Sequence, residues 1–200
     1  MVFTIAFENK NFEILLKKIK EHKINCIIDI CKAQDEKLKS TLNKLGIYYI
    51  YMGEQFEVKN INVDNDDSYY NSLIKNDSFK SGISRLLNGI YKGFSIGIIS
   101  EDNNPSTGVA GIFIGYMLKR RGFELNHILK DNVITQKEME KELIESFSNK
   151  LVKKVAEISI KNIMKNINLE MDEEDFKDEM LEEGYKMQAL NILNKRWNDV

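Results

Sequence analysis

A thiol, a few carboxylates and one run of small and hydroxylated residues are the groups in this chain whose types and spacing could do chemistry. Cys31 follows the apolar run Cys26-Ile27-Ile28 and Asp29, which places it at the carboxyl end of a strand. A cysteine becomes a nucleophile there only if its pKa is depressed, and Lys32 is the sequence-local cation that could depress it. Glu54, Ser100 and Glu101 fall at the ends of other expected strands, on the same rim. Cys31, Glu54, Ser100 and Glu101 are therefore the candidate catalytic set, with plain packing of a small residue at a strand end as the simpler reading of Cys31. Cys26, inside the apolar run, belongs to the core.

The segment from Ser100 to Gly108, Ser-Glu-Asp-Asn-Asn-Pro-Ser-Thr-Gly, joins an expected strand to an expected helix. Open parallel sheets bind their ligands at that end. Ser106 or Thr107 can cap the helix, and Gly108, Ala110, Gly111 and Gly115 allow it to approach the sheet closely. Helix N-termini attract anions, but Glu101 and Asp102 repel a bare phosphate. The loop has no Walker lysine and no cysteine or arginine, and no cofactor is expected from it. Asp102, Asn103, Ser106, Thr107 and Gly108 remain as groups that could hold a small ligand, and a capped turn is the simpler alternative. His22, on the first helix, and His127, in the fifth strand, have no acid partner in the nearby sequence and are weak candidates for a general base. Asp64, Asp66 and Asp67 lack the glycine and the twelfth-position glutamate of a calcium loop, so a solvated acidic loop is expected and no metal site.

The elements that must position these groups alternate along the chain. Residues 2–7 read as a strand, and Phe12, Leu15, Leu16 and Ile19 follow at the spacing of an amphipathic helix, with Asn9 or Asn11 as its cap. Residues 25–30 are apolar on both faces, as in a central parallel strand covered on both sides. Leu38, Leu42 and Leu45 form a short helix ended by Gly46, and residues 47–52 a third strand. Residues 53–68 are polar and acidic, a length of connection that forms a lid, a binding loop or a disordered segment. A helix through Phe79, Ile83, Leu86 and Ile90, a strand over 94–99, a helix over 105–121 and a strand over 124–129 complete the pattern. Five strands separated by helices predict an α/β fold: a doubly wound, mostly parallel five-stranded sheet with helices on both faces.

Beyond residue 134 the character changes. Thr135 to Glu138 is a capping box, and Met139, Leu143, Phe147, Leu151, Val155 and Ile158 recur along one long helix. A second helix begins near the acidic residues Asp172, Glu173, Glu174 and Asp175, which complement its dipole, and runs through Leu190, Leu193 and Trp197. The expected division is an α/β core over 1–134 and a C-terminal helical extension over 135–200.

With 200 residues, the chain is long enough for one core and an appendage. A net charge of -2 provides no cationic field for a polyanion, so nucleic acid is an unlikely partner despite Lys119-Arg120-Arg121 and Lys150, Lys153 and Lys154. No apolar run approaches the ~20 residues of a membrane span, and no leader is apparent. Two cysteines five apart on an extended segment cannot bridge, which fits free thiols in a reducing cytoplasm.

Several segments carry a resemblance: Thr4-Ile5-Ala6-Phe7-Glu8-Asn9, Ile28-Asp29-Ile30-Cys31, Leu45 to Ile50 followed by Gly53-Glu54, Phe79 with Gly82 to Leu87, Ser100-Glu101 through Pro105, and His127-Ile128-Leu129 through Glu140. Over about residues 1–145 the chain resembles the family catalogued as domain of unknown function 488. The resemblance implies a rhodanese-like or flavodoxin-like fold. That family is distinguished by a glycine-histidine pair, an arginine after the second strand, and a loop of cysteine, glutamate and proline leading into cysteine-histidine-arginine. Here Ala6-Phe7 replaces the pair and Cys31 the arginine, and the loop over 99–110 has no cysteine, histidine or arginine. Asn9, Asp29, Gly53, Glu101 and Pro105 match, so Asn9 and Asp29 join the loop residues as candidates for ligand binding.

Loss of nucleophile, imidazole and cation together points to a catalytically degenerate member acting as a binding or protein-interaction module, with residues 135–200 holding a second copy or another protein. The alternatives are an enzyme with a rearranged rim acting on a small ligand and, behind it, a nucleic-acid-associated protein.

Overall fold

The structure, a computed structural model, describes residues 1–7, 11–58, 61–63, 67–164 and 173–198, with 161–164 and 196–198 described by their backbone alone. Asn9, Asp64 and Asp66 lie outside the described residues, as does the side chain of Trp197. The strands are β1 Val2–Ala6, β2 Cys26–Asp29, β3 Tyr48–Tyr51, β4 Ile96–Ser100, β5 Leu125–Ile128 and β6 Val133–Thr135. The helices are α1 Phe12–Glu21, α2 Glu36–Lys44, α3 Tyr69–Lys75, α4 Asp77–Tyr91, α5 Tyr116–Lys119, α6 Gln136–Met164 and α7 Glu173–Asn198.

The strands form one six-stranded sheet in the order β3-β2-β4-β1-β5-β6. β1 to β5 are mutually parallel, as the helical crossovers require, and β6 is antiparallel to β5. The five expected strands are all present. The sixth follows a tight return in which Leu129 N–H donates to Asn132 O at 2.9 Å.

Side chains that alternate along each strand feed two cores. On one face Phe3, Ile5, Ile27 and Ile99 pack with Leu15 and Ile19 of α1 and Leu38 and Leu42 of α2. On the other, Ile28, Ile96, Ile98 and Leu125 pack with Phe79, Ile83 and Leu86 of α4, and with Ile112, Phe113 and Met117 around α5. Met139 and Leu143 of α6 and Tyr185, Ala189 and Ile192 of α7 belong to this second core, so both C-terminal helices pack on the sheet's helical layer.

Local signals formed as read. Asn11 is the cap of α1, its Oδ1 accepting from Ile14 N at 3.1 Å. The capping box opens α6: Glu138 Oε2 accepts from Thr135 N–H at 2.7 Å, and Thr135 Oγ1 accepts from Glu138 N–H at 3.2 Å. Two readings are corrected. The described part of the 53–68 connection is pinned down, because Phe56, Val58, Ile61 and Val63 are buried in the larger core, and this apolar anchoring removes the basis for a lid. The helix expected over 105–121 is interrupted. A single 3₁₀ turn at Pro105–Thr107 ends at Gly108, and the helix proper begins with a π-helical turn, Ala110–Gly115.

Candidate functional site

The carboxyl ends of the parallel strands form the rim on which the sequence places its candidate groups, and there the structure sorts them into two clusters. Asp29 and Cys31, with Gly53 beside them, stand at the ends of β2 and β3. Ser100, Asp102, Asn103 and Gly108 stand at the ends of β4, β1 and β5, where with Thr4, Ala6, Pro105 and Leu129 they line a cleft of about 10 Å³. That is room for about one water molecule.

In the first cluster the polar groups are turned inward. Asp29 is 1% exposed, and its Oδ1 accepts from Cys31 N–H at 2.9 Å while its Oδ2 accepts from the Tyr49 hydroxyl at 2.5 Å. Tyr49 and Tyr51 share a face of β3, and Asp29 is the register partner of Tyr51. Burial and then the hydrogen bond to Asp29 push the Tyr49 phenol far above its ordinary range. Burial also raises the Tyr51 phenol, with the charges of Asp29 and Glu54 adding to the effect. Cys31 itself is 8% exposed, and a Cβ added at Gly53 would collide with its carbonyl oxygen. Glu54 is exposed. The arrangement fastens the β2 end to β3 and offers no open approach to the thiol.

In the second cluster the loop after β4 spends its side chains on its own backbone. Asn104, not Ser106 or Thr107, is the cap of the 3₁₀ turn: its Oδ1 accepts from Ser106 N–H at 2.9 Å and from Ser106 Oγ at 2.8 Å. Thr107 Oγ1 donates to Asn104 O at 3.3 Å. Asp102 Oδ2 accepts from Val109 N–H at 3.1 Å, supplying the cap of the following helix that Ser106 or Thr107 is expected to make from the sequence. An acid satisfies a free N–H and the helix dipole together, whereas the two hydroxyls sit in a separate turn. A Cβ on Gly108 would touch Asp102, and one on Gly111 would overlap the Pro105 carbonyl, so glycine at both positions lets the loop fold back over the helix start. Glu101 and Asn103 are exposed.

Beneath the cleft runs a hydrogen-bonded chain that sequence reasoning missed. Thr4 Oγ1 lies 2.7 Å from His127 Nδ1, and His127 Nε2 lies 2.9 Å from Gln136 Oε1. Gln136 Nε2 donates to Gly111 O at 2.9 Å and to the Tyr185 hydroxyl oxygen at 2.7 Å. Tyr185 donates to Glu140 Oε1 at 2.7 Å, and Glu140 Oε2 accepts from Lys119 Nζ at 2.5 Å. Because both Gln136 N–H groups have acceptors, its carbonyl takes the proton on His127 Nε2, which leaves Nδ1 to accept from Thr4. Every bond therefore points the same way until the Glu140 carboxylate, which receives donors from both sides. Burial lowers the His127 pKa to about 4, so the ring is neutral at neutral pH.

A hydroxyl held by an imidazole that a third group orients is the geometry of an activated nucleophile. Thr4 and His127 are nevertheless buried, and the cleft before them admits about one water, so the chain's accessible consequence is mechanical. It joins β1, β5, the π-helical turn, α6 and α7. The Gly111 carbonyl that Gln136 binds, and the Ile112 carbonyl that receives Tyr69 Oη at 3.1 Å, lie in that turn. π-helical turns often mark functional sites, and here side chains satisfy two of the turn's carbonyls.

The remaining candidates are dispersed. His22 packs its ring against Phe3 at 5.1 Å. Asp67 accepts from Lys75, and its carbonyl accepts from Lys186 at 2.8 Å. In the basic triplet Lys119 is held by Glu140, and Arg120 and Arg121 lie over the Tyr70 ring at 5.2 and 5.8 Å. Among the described residues no three metal-ligating side chains converge, neither cysteine is in a disulfide, and no helix is long and apolar enough to cross a membrane. Comparison with protein-family models, curated proteins and solved structures gives no match for this chain.

Proposed function

We propose that this chain is a divergent relative of the domain of unknown function 488 proteins whose rim has passed from reactive to structural use, and that it acts in the cytoplasm as a binding or protein-interaction module. One observation carries the reading. The rim's polar side chains are consumed internally: Asp29 by Tyr49 and the backbone of Cys31, Asp102 by the helix start, and Ser106 and Thr107 by Asn104. Exposed beside them are Lys32, Glu54, Glu101, Asn103 and Thr107, while the one thiol, Cys31, is buried.

The long helix α6 supplies a surface for a partner. Its inner residues Leu151 and Val155 are fully buried, while Val152 and Ile160 are 50% and 57% exposed and lie with exposed Ala156 at a spacing of four. Such a stripe is a seam suited to a second helix. Native mass spectrometry of the full chain tests the reading. A defined oligomer or heteromer is expected, which Val152→Glu with Ile160→Glu converts to monomer. A strict monomer that retains a small molecule and loses turnover on Cys31→Ala overturns it in favour of the rearranged enzyme.

A further inference from the structure

At the amino ends of the strands, opposite the rim, four helix-to-strand turns are built on one plan. In each, an N–H just past the helix end returns to a carbonyl five residues earlier: Ile24 to Ile19, Ile47 to Leu42, Phe94 to Gly89 and Phe123 to Leu118, at 2.9 to 3.2 Å. The residue just before that N–H must then be left-handed, and glycine fills it at Gly46, Gly93 and Gly122. The fourth turn has Lys23 at φ 52°, the one non-glycine residue with positive φ among those described. A side chain there is strained, and strain persists where the surroundings use it.

Lys23 stands at the mouth of a groove of about 530 Å³ lined by Leu16, Ile19, Lys20, Ile24, Leu45 and Ile47. The floor is wholly aliphatic and the only polar lining side chains are the two lysines. Both are exposed, and among the described residues neither is in an ion pair. Leu45 is itself 58% exposed. The volume falls in the range of small-molecule sites. It is small for a docked helix, since a cylinder about 10 Å across occupies roughly 420 Å³ per turn, leaving room for little more than one turn. An extended peptide would bring backbone N–H donors, and no lining side chain can accept them.

We propose that this groove binds a single-chain aliphatic carboxylate, its tail on Leu16, Ile19, Ile24, Leu45 and Ile47 and its head between the Lys20 and Lys23 ammonium groups. The site lies at the opposite end of the sheet from the rim and does not depend on the reading of the rim.

Isothermal titration of the full chain with dodecanoate below its micellar concentration tests this. Saturable one-to-one binding is expected, falling about fourfold in affinity for each methylene removed down to octanoate. Dodecanol and the Lys20→Met/Lys23→Met double variant should each bind at least tenfold more weakly. Lys23→Gly separates ligand from fold: it relieves the left-handed strain and should raise the melting temperature by about 2–4 °C, yet weaken dodecanoate binding. The proposal is overturned by absence of saturation, by affinity indifferent to the head group or to both lysine variants, or by binding to anionic vesicles without binding to monomeric dodecanoate.

Discussion

His127 is buried between a hydroxyl and an amide with no charge to meet it, and this makes it an acid-labile residue. Burial depresses its pKa to about 4 from an ordinary value of 6.5. Between those values the unfolded chain binds a proton that the folded chain refuses, so stability falls as pH drops through that window and is flat above it. The loss approaches on the order of 3 kcal/mol by pH 4. Urea unfolding at several pH values should show this slope. His127→Leu should flatten it while lowering stability at pH 7, because Thr4 and Gln136 lose their partner. Cys26 gives a second prediction of the same kind. Burial pushes its thiol up to about 11, so iodoacetamide at pH 8 should leave it unmodified until the protein unfolds. The burial of Cys26 was legible in its apolar run, but the setting of His127 was not. The partners of His127 lie on β1 and α6, far along the chain, and no local spacing announces them. The Tyr49–Asp29 bond was nearer to hand, since Asp29 and the Tyr49/Tyr51 pair end successive strands, but it required knowing that β2 and β3 are neighbours in matching register.

Elements were legible where their signals are local. The spacing of Phe12, Leu15, Leu16 and Ile19, the two-sided apolar run before Asp29, and the Thr135/Glu138 box each act over fewer than ten residues, and each produced its element. β6 was missed because Val133–Thr135 is too short to show alternation and pairs only once β5 is present. The interrupted helix after β4 was missed because its start is set by Asp102 reaching to Val109, a loop contact that outcompetes the nearer hydroxyls. The starts of these two helices differ in what a substitution there should cost. Thr135→Ala removes one side of a surface box and should lower stability by about 1 kcal/mol in thermal unfolding, with native spectra retained. Gly111→Ala instead drives a methyl group into the Pro105 carbonyl, a backbone atom that cannot swing aside. It should cost several times as much, and should do so by displacing the 3₁₀ turn, visible as new protease sensitivity over 103–108.

For the molecule as a whole, the expected layers were readable because crossover helices dictate a parallel sheet, whereas strand order and the seating of α6 and α7 depend on contacts between distant segments. Those contacts now bear on whether residues 1–134 can stand alone. Met139, Leu143, Tyr185, Ala189 and Ile192 complete the same core as Ile98 and Phe113, and their removal exposes that core while stripping Gln136 and Glu140 from His127 and Lys119. A chain ending at residue 134 should therefore lack a cooperative thermal transition and bind hydrophobic dyes, and a sharp melt from that fragment would show that the core closes without its helices. Tyr185→Phe isolates the polar part of this attachment without opening a cavity. It keeps the ring against Tyr69 and Tyr116 but removes the hydroxyl that accepts from Gln136 and donates to Glu140. One buried N–H and one carboxylate oxygen lose their partner, at a cost of about 1–3 kcal/mol. If the hydrogen-bonded chain fastens α7 to the sheet, hydrogen exchange in this variant should quicken in α7 and at the start of α6 before it does in β2 or β4. Uniform acceleration across the sheet would instead mean that the helices and the α/β layers open as one unit.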